Sequence, residues 1–281
     1  MTARTIKQQI AALATSDGAG VRIKRSLGQS QAVRMDPFLM LDEFGSEQAA
    51  DYIAGFPAHP HRGFEAVTYM LEGHMLHEDH LGNRGNLQTG GVQWMTAGRG
   101  IIHSEMPQQE EGLMRGFQLW LNLPAAEKMK PAGYRDIQAD EIPSVQLPGG
   151  TVKLIAGSLT LAGERHQGAV VGGSTCPLYL DLTLEPNGNL TLPVELALNA
   201  MVYLYQGQAS VAGEALQTSA ASLLTEGDQL TVSAGGDGAR VLLIAGKPIG
   251  EPIVQYGPFV MNSRDEIEQA LQDYRNGQLT A

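Results

Sequence analysis

Short segments in which apolar and polar residues alternate recur along most of the chain. In the segment Leu178–Leu184, LYLDLTL, a leucine occupies every second position, which is the period of a strand with one buried face. Other short apolar segments, most of them bounded by glycine or proline, predict further strands at residues 67–71, 118–121, 201–205 and 241–244. Many short strands separated by turns are typical of an all-β sandwich or barrel.

One helix is well indicated, near the C-terminal end of the sequence. Asn262 or Ser263 can cap its first turn, and Glu266, three residues after Ser263, completes a capping box. Gly277 stands where such a helix is expected to stop. The apolar residues at helical spacing between these signals are Ile267, Ala270, Leu271 and Tyr274. We expect this short C-terminal helix to pack on the β-structure.

Two parts of the sequence resemble each other at a nearly constant spacing. Residues 67–73, VTYMLEG, are similar to residues 201–207, MVYLYQG, at an offset of 134 positions. Residues 91–96, GVQWMT, are similar to residues 227–232, GDQLTV, at an offset of 136 positions. A repeat of this length predicts two similar β-units in tandem.

The boundary between the two units is predicted in a polar stretch with three prolines, residues 131–150. Residues 1–135 then form the first barrel, and residues 136–281 form the second barrel together with the C-terminal helix. The composition supports this class, because 34 glycines, 14 prolines and only 17% charged residues among 281 fit a turn-rich β protein better than a helical one.

The charge and the cysteine content narrow the partners and the compartment. A net charge of −11 argues against direct binding to nucleic acid, whose backbone needs a basic surface, but a protein partner stays open. Cys176 is the only cysteine, so no disulfide can form within the chain, which fits a reducing compartment. The sequence shows neither a signal peptide nor a membrane-spanning stretch. We expect a cytoplasmic monomer that does not bind membranes.

Two pairs of alternate residues carry the metal-binding chemistry of the sequence. His59 and His61 form one pair, and His103 and Glu105 form the other. Side chains two positions apart on a strand project from the same face, so the four groups converge if the two segments are neighbouring strands. Three imidazoles and one carboxylate are a ligand set for a divalent transition metal. A single His-x-His pair without the second pair is more often part of a solvated loop.

The first unit alone carries this ligand set. Moving His59 and His61 by 134 positions reaches Pro193 and Glu195, and moving His103 and Glu105 by 136 positions reaches Ala239 and Val241, so the second copy lacks the ligands. The set does not separate iron from manganese, nickel, cobalt, copper or zinc. Iron prefers five or six positions and leaves one or two open, whereas zinc accepts a closed tetrahedron.

Other polar and aromatic residues have structural interpretations. Glu65, four residues after His61, can be a ligand, an acceptor behind a ligand or a buried acid. His77 is interpreted as lying near the rim of the pocket, and Trp120 and Cys176 are interpreted as packing residues. The other histidines, which we interpret as polar-loop or exposed residues, are His74, His80 and His166.

Four stretches of the sequence resemble signatures of the pirin family. Residues 55–65, GFPAHPHRGFE, are similar to its first metal motif, and residues 93–107, QWMTAGRGIIHSEMP, are similar to its second. Residues 36–44 and 257–262 resemble the flanking signatures. The resemblance extends from about residue 21 to the final helix, so the chain is identified as a member of the pirins, within the cupin superfamily.

The resemblance implies two tandem cupin barrels, with Fe²⁺ in the N-terminal barrel only. By the matching motifs, the implied metal ligands are His59, His61, His103 and Glu105. Cupins often use the glutamate four residues after the second histidine, whereas the pirin pattern uses the glutamate after the last histidine. Glu65 is therefore implied to lie behind the ligands.

Pirin-like proteins are similar in site and fold to quercetin 2,3-dioxygenases. The resemblance implies that the chain opens the central ring of a flavonol with dioxygen and releases carbon monoxide, with Glu105 as the general base that accepts the proton of the flavonol hydroxyl. Some pirins are described as iron-dependent cofactors of transcription factors, so a redox-responsive regulator that binds a protein partner is the alternative. A cupin that binds another small molecule is a third hypothesis.

Overall fold

The structure, a computed structural model that describes residues 2–281, is almost entirely β. Its helices are α1 (Ala125–Lys128) and α2 (Arg264–Arg275), with 3₁₀ turns at Ala49–Asp51 and Ala139–Glu141. The strands in chain order are β1 Ile6–Ala11, β2 Leu13–Asp17, β3 Val21–Leu27, β4 Phe38–Ser46, β5 Phe56–His61, β6 Phe64–Glu72, β7 His74–Asp79, β8 Arg84–Gln88, β9 Val92–Thr96, β10 Ile101–Pro107, β11 Met114–Asn122, β12 Gly133–Ile137, β13 Ser144–Leu147, β14 Gly150–Ala156, β15 Ser158–Leu161, β16 Glu164–Gln167, β17 Leu178–Leu184, β18 Asn189–Pro193, β19 Asn199–Val211, β20 Glu214–Ala215, β21 Ala220–Leu224, β22 Gln229–Gly246, β23 Val254–Tyr256 and β24 Phe259–Met261.

The predicted fold class is confirmed. All five predicted strand segments lie inside observed strands, namely β6, β11, β17, β19 and β22. The sheets are cupin-like but do not close into complete barrels. Across residues 2–281, no helix is long and apolar enough to cross a membrane.

The chain folds into two compact units, and each unit is made of several chain segments instead of one segment on either side of residue 135. The first unit contains residues 14–34, 38–139 and 249–281, and the second contains residues 2–13, 35–37 and 140–248. The N-terminal strand β1 belongs to the second unit because it pairs with β21 at the edge of that unit's sheet. Helix α2, which the sequence assigned to the second half, belongs to the first unit because it packs on β23 and β24.

The first unit is built from two antiparallel sheets. One has the strand order β12-β9-β6-β11-β4-β3-β2, and the other has the order β5-β10-β7-β8. Apolar side chains from both sheets form a shared core that includes Phe44, Met70, Met75 and Leu87. The smaller sheet carries both predicted ligand pairs, on the adjacent strands β5 and β10.

The second unit consists of one large antiparallel sheet with a leucine-rich interior and the separate strand pair β15–β16. Its main strand order is β1-β21-β19-β22-β17-β14-β13. The alternating leucines of β17 all enter this core, as do Ala239 and Val241, the positions that correspond to His103 and Glu105. On the other face of β17, Asp181 is also buried, and it accepts hydrogen bonds from Tyr205 Oη at 2.5 Å and Arg240 Nη2 at 3.1 Å.

Helix α2 begins and ends where the sequence predicts. Ser263 Oγ accepts a hydrogen bond from the Glu266 amide at 3.3 Å, and the Ser263 amide donates to Glu266 Oε2 at 2.8 Å, which completes the capping box. The buried face of the helix packs against the strand pair β23–β24. The residues of this cluster include Phe259, Met261, Ile267, Ala270 and Leu279.

Replacing the capping residue tests this helix start. Ser263→Ala removes the side-chain acceptor, so we expect the free energy of unfolding to fall by about 1 kcal/mol. Ser263→Thr keeps an acceptor oxygen and serves as the matched control. Urea titrations of the three proteins measure the difference. Equal stability of the alanine variant and the wild type would show that the cap contributes nothing.

Candidate metal centre

The antiparallel pairing of β5 with β10 brings three histidines together. His103 lies directly opposite His59, and Ile101 lies opposite His61. The ring centroids of His59 and His103 are 4.4 Å apart, and those of His61 and His103 are 5.0 Å apart. The potential ligand nitrogens of His59, His61 and His103 all lie within 4.8 Å of one another. This group is called the histidine cluster below.

Glu105, the fourth predicted ligand, lies in the same cavity as His59 and His61 but outside this 4.8 Å group. A register shift in the β5–β10 pairing falls between His103 and Glu105. The carboxylate is held by neighbouring side chains. Thr68 Oγ1 and Gln93 Nε2 donate to Glu105 Oε1 at 3.1 and 3.0 Å, and Gln118 Nε2 donates to Oε2 at 3.2 Å.

Each imidazole of the histidine cluster is anchored through Nδ1. His59 Nδ1 donates to the Pro57 carbonyl at 2.8 Å, and His61 Nδ1 faces the Pro258 carbonyl at 3.4 Å. A carbonyl oxygen can only accept, so Nδ1 of each ring carries the proton and Nε2 keeps its lone pair. This is the arrangement in which metal-bound histidines are oriented by an outer acceptor.

His103 contacts a buried chain of polar side chains through His77. Gln93 Nε2 donates to His77 Nδ1 at 3.0 Å, so that nitrogen is an acceptor, and His77 Nε2 donates to Asp79 Oδ2 at 3.3 Å. His103 Nδ1 lies 3.4 Å from the same nitrogen of His77. Within residues 2–281, the buried Nε2 of His103 has no hydrogen-bond partner.

Burial favours the neutral form of two of these imidazoles. It lowers the pKa of His61 to about 3, with a further decrease from the neighbouring His59. Burial also lowers the pKa of His103 well below its ordinary value, and the adjacent histidines add to this effect. A metal ligand must be an unprotonated imidazole. The free Nε2 lone pairs of His59 and His61 and the buried, unpartnered Nε2 of His103 therefore fit a divalent cation.

The sequence interpretation missed the position of His77. Instead of lying at the rim, His77 is fully buried on β7, where its ring stacks on Tyr134 at a centroid distance of 4.0 Å. The alternation of Met75, His77 and Asp79 along β7 was the available signal, because residues at every second position share a face. Gln93, which contacts both His77 and Glu105, also went unrecognised.

The other candidate residues are not members of the histidine cluster. Glu65 accepts a hydrogen bond from Thr96 Oγ1 at 2.6 Å, lies 3.6 Å from Lys130 Nζ, and does not line the cavity. His74 contacts Asn86, and His80 accepts from the Ile102 amide. His166 is partly buried on β16 of the second unit, and Cys176 is exposed.

The histidine cluster opens into a cavity of about 760 Å³, a volume within the range of small-molecule sites. Leu39, Met40 and Trp120 contribute apolar walls, and Arg34 and Gln118 contribute polar groups. Trp120 was interpreted as a core residue, and it is 9% exposed. Its ring also meets the His61 ring edge-on at a centroid distance of 5.2 Å, so it is a wall of the site as well.

Two buried cations hold the segment that follows His61. Arg62 donates to the Arg99 carbonyl, to Asp273 Oδ2 at 2.7 Å and to the Leu279 carbonyl at 3.2 Å. Lys128 Nζ donates to the Gly63 carbonyl at 2.6 Å.

The close approach at Gly63 requires glycine. Its φ is +91°, and a Cβ there would lie 2.0 Å from the Val260 carbonyl oxygen. Lys128 Nζ also donates to that oxygen at 3.0 Å and to Asn122 Oδ1 at 2.6 Å. The strand end that carries His61 is thus tied to β11 and β24.

Both halves of the chain match family models. The model described as Pirin matches residues 20–121, and the model described as Pirin C-terminal cupin domain matches residues 179–280. These ranges include the histidine cluster and most of the second unit.

Relatives and solved structures match over almost the full length. A Pseudomonas aeruginosa protein named "Putative quercetin 2,3-dioxygenase PA3240" is 55% identical over 94% of both chains. A pirin-like protein of Caulobacter vibrioides is 49% identical over 99% of both chains. The crystal structure of a quercetin 2,3-dioxygenase from Acinetobacter baumannii is 31% identical, covers 99% of both chains and has a TM-score of 0.88.

The pH dependence of stability tests the buried Lys128. Burial lowers the pKa of Lys128 to about 8, against the opposing charges of Glu251 and Glu266. Between pH 8 and about 10.4, the ordinary lysine value, the unfolded chain binds more protons than the folded chain at this site. This site therefore makes stability rise with pH in that window, by on the order of 3 kcal/mol in total.

The matched variant for this measurement is Lys128→Met, which keeps the apolar stem and removes the titration. Urea titrations at several pH values measure the free energy of unfolding of both proteins. We expect the value for the wild type, relative to that for the variant, to increase from pH 8 to 10. Parallel pH profiles of the two proteins would contradict a depressed pKa at Lys128.

Proposed function

Because this chain belongs to the pirin family, we propose that it is a mononuclear metal-dependent dioxygenase that opens the ring of a flavonol such as quercetin. In this proposal His59, His61, His103 and Glu105 hold one divalent metal ion, with Fe²⁺ as the native metal. The family assignment confirms the resemblance found in the sequence motifs. The metal, the ligand set and the reaction are parts of the proposal.

The observation that carries the proposal is the geometry of the histidine cluster. The potential ligand nitrogens of three histidines lie within 4.8 Å of one another beside a cavity that His59 and His61 line, and the Nδ1 atoms of these two rings face carbonyl oxygens, which leaves their Nε2 lone pairs free. A purely structural group of buried histidines needs partners for both nitrogens. His103 Nε2 lacks one within the described chain, and a cation satisfies it.

A divalent metal held there supplies Lewis acidity, which lowers the pKa of a substrate hydroxyl group. Glu105 accepts the released proton. Its Oε1 already accepts two hydrogen bonds and its Oε2 accepts one. The one free lone pair, on Oε2, would either hold the metal ion or take the proton, so Glu105 would act as the base only while it does not ligate the ion. Gln118, which donates to Oε2, also lines the cavity and orients this oxygen.

The cavity walls suit a flat aromatic substrate. Leu39, Met40 and Trp120 remove an aromatic ring from water, and the neighbouring His61 is itself buried. The names of the relatives support the flavonol assignment, since the Acinetobacter baumannii structure is a quercetin 2,3-dioxygenase. One dioxygen is consumed and one carbon monoxide is released for each flavonol opened.

The test is anaerobic reconstitution with Fe²⁺, followed by quercetin and then air. Loss of the flavonol absorbance with stoichiometric carbon monoxide release supports the dioxygenase. Parallel samples with manganese, nickel, cobalt, copper and zinc identify the metals that sustain turnover. Full metal occupancy without turnover by any of them would refute the enzymatic proposal.

A metal-responsive regulator that binds a protein partner is the second candidate. The net charge of −11 favours it, since an acidic surface suits a basic protein surface better than nucleic acid. The same metal site would serve it. Absence of turnover, combined with partner binding that changes between Fe²⁺ and Fe³⁺, would favour this candidate over the dioxygenase.

Removing one imidazole tests the ligand assignment. We expect His61→Ala to weaken metal binding more than ~100-fold, beyond the 10–100-fold loss that follows from removing an outer partner of a ligand, and to abolish turnover. Elemental analysis after dialysis measures the metal, and circular dichroism measures the fold. His166→Ala, in the second unit, is the control and keeps full metal content. Full metal content in His61→Ala would refute the assignment.

Replacing the carboxylate by an isosteric amide tests the proton acceptor. We expect Glu105→Gln to lower kcat by about 100-fold or more, because a positioned general base contributes on that scale, and to weaken metal binding. Glu65→Gln is the matched control, because Glu65 contacts Thr96 and Lys130 outside the cavity. Steady-state kinetics with quercetin compare the variants. If only Glu65→Gln lost activity, Glu65 and not Glu105 would be the proton acceptor.

A further inference from the structure

Arg34 is a cation of the cavity wall that lacks a counter-ion. It lies in the loop between β3 and β4, and its Nη2 donates to the neutral side chain of Gln255. Its Nε is buried and has no acceptor anywhere in residues 2–281. No ion pair joins Arg34 to a carboxylate of that same described range. Burial also lowers the pKa of this guanidinium, and no nearby acid opposes the decrease.

The other charged groups of the cavity wall all have hydrogen-bond or ion-pair partners. Arg25 donates from Nε to Asp42 Oδ1 at 2.8 Å and from Nη2 to Asp42 Oδ2 at 2.7 Å. Its Nη2 also contacts Asp17 Oδ2 at 2.7 Å. Glu105 accepts three hydrogen bonds from neutral side chains. Of the two arginines that line the cavity, Arg34 is therefore the one without a carboxylate partner among residues 2–281.

Arg34 is only partly buried, so its guanidinium can be reached from the cavity, and a partly desolvated charge gains when a ligand supplies the opposite charge. The guanidinium presents several N–H donors in a planar fork, which matches a carboxylate in two parallel hydrogen bonds. A second donor on the same cavity wall, the indole N–H of Trp120, is also buried without an acceptor within the described residues. Both groups indicate a ligand that brings acceptor atoms.

We propose that Arg34 binds an anionic group, in the first place a carboxylate, on a flat aromatic substrate whose other end reaches the histidine cluster. The apolar walls Leu39, Met40 and Trp120 contact the ring of that substrate. The proposal rests on the proposed function and narrows its substrate class: among flavonols and aromatic molecules of similar size, those that carry a carboxylate bind in preference to neutral ones such as quercetin.

The experiment compares two ligands that are nearly isosteric and differ in charge. Cinnamate carries a carboxylate, and cinnamide carries a neutral amide in its place. Binding of each to the full chain loaded with redox-inert Zn²⁺ is measured by equilibrium dialysis at pH 7.5. We expect cinnamate to bind the wild type roughly 10-fold or more tightly than cinnamide, as a charge-assisted pair provides.

The variants separate Arg34 from other sources of this preference. Arg34→Gln should lower cinnamate affinity to the level of cinnamide and leave cinnamide affinity unchanged, which also shows that the cavity is folded. Arg34→Lys should keep part of the preference, since it keeps the charge without the fork. Arg84→Gln makes the same change at an exposed residue outside the cavity and should leave both affinities unchanged.

Three results would overturn the proposal. The first is a wild type that does not prefer cinnamate, including one that binds neither ligand. The second is a preference that survives in Arg34→Gln, because the carboxylate then binds the metal ion instead. The third is an equal loss of both ligands in Arg34→Gln. Failure of the oxygenase reaction leaves these binding ratios untouched, so the two proposals fail separately.

Discussion

The register of the β5–β10 pair is the constraint on which the site depends. His59 faces His103 directly across this pair, and His61 follows on the same face of β5. A slip of one residue in a β ladder turns every side chain to the opposite face, so it would scatter the histidine cluster. Contacts beyond the β5–β10 pair hold this register. Arg62 binds Asp273, Lys128 binds the Gly63 carbonyl, and Gly63 itself packs closely against Val260. The pairing of β5 with β10 therefore sets the geometry of the proposed metal site.

Burial of the imidazoles is the second feature on which the site depends. Burial favours the neutral form of His61 and His103. His59 and His61 donate through Nδ1 to backbone carbonyls, and His103 contacts the chain of His77 and Asp79. Preorganised lone pairs cost nothing to arrange when a cation arrives, which is how a protein gains affinity without additional ligands.

The sequence predicted what depends on local spacing. The alternating leucines of β17, the capping box of α2 and the two His-containing pairs all rely on residues a few positions apart. It failed where the outcome depends on distant pairing. Lys128 looks like an ordinary surface lysine in a short helix, and only the return of β24 beside residue 63 buries it. Distant pairing also explains why the N-terminal segment belongs to the second unit and the C-terminal segment to the first. No local pattern shows that β1 pairs with β21.

The ion pair between Arg62 and Asp273 couples the strand that carries His61 to helix α2. Arg62 adjoins His61, and Asp273 lies in the last turn of helix α2. Whatever stabilises the arrangement of β5 therefore also stabilises helix α2 by the coupling free energy between them, which is the same in both directions because linkage is reciprocal. Protease sensitivity around residues 264–279 becomes a remote gauge of cation loading, readable without any spectroscopic signal from the ion itself.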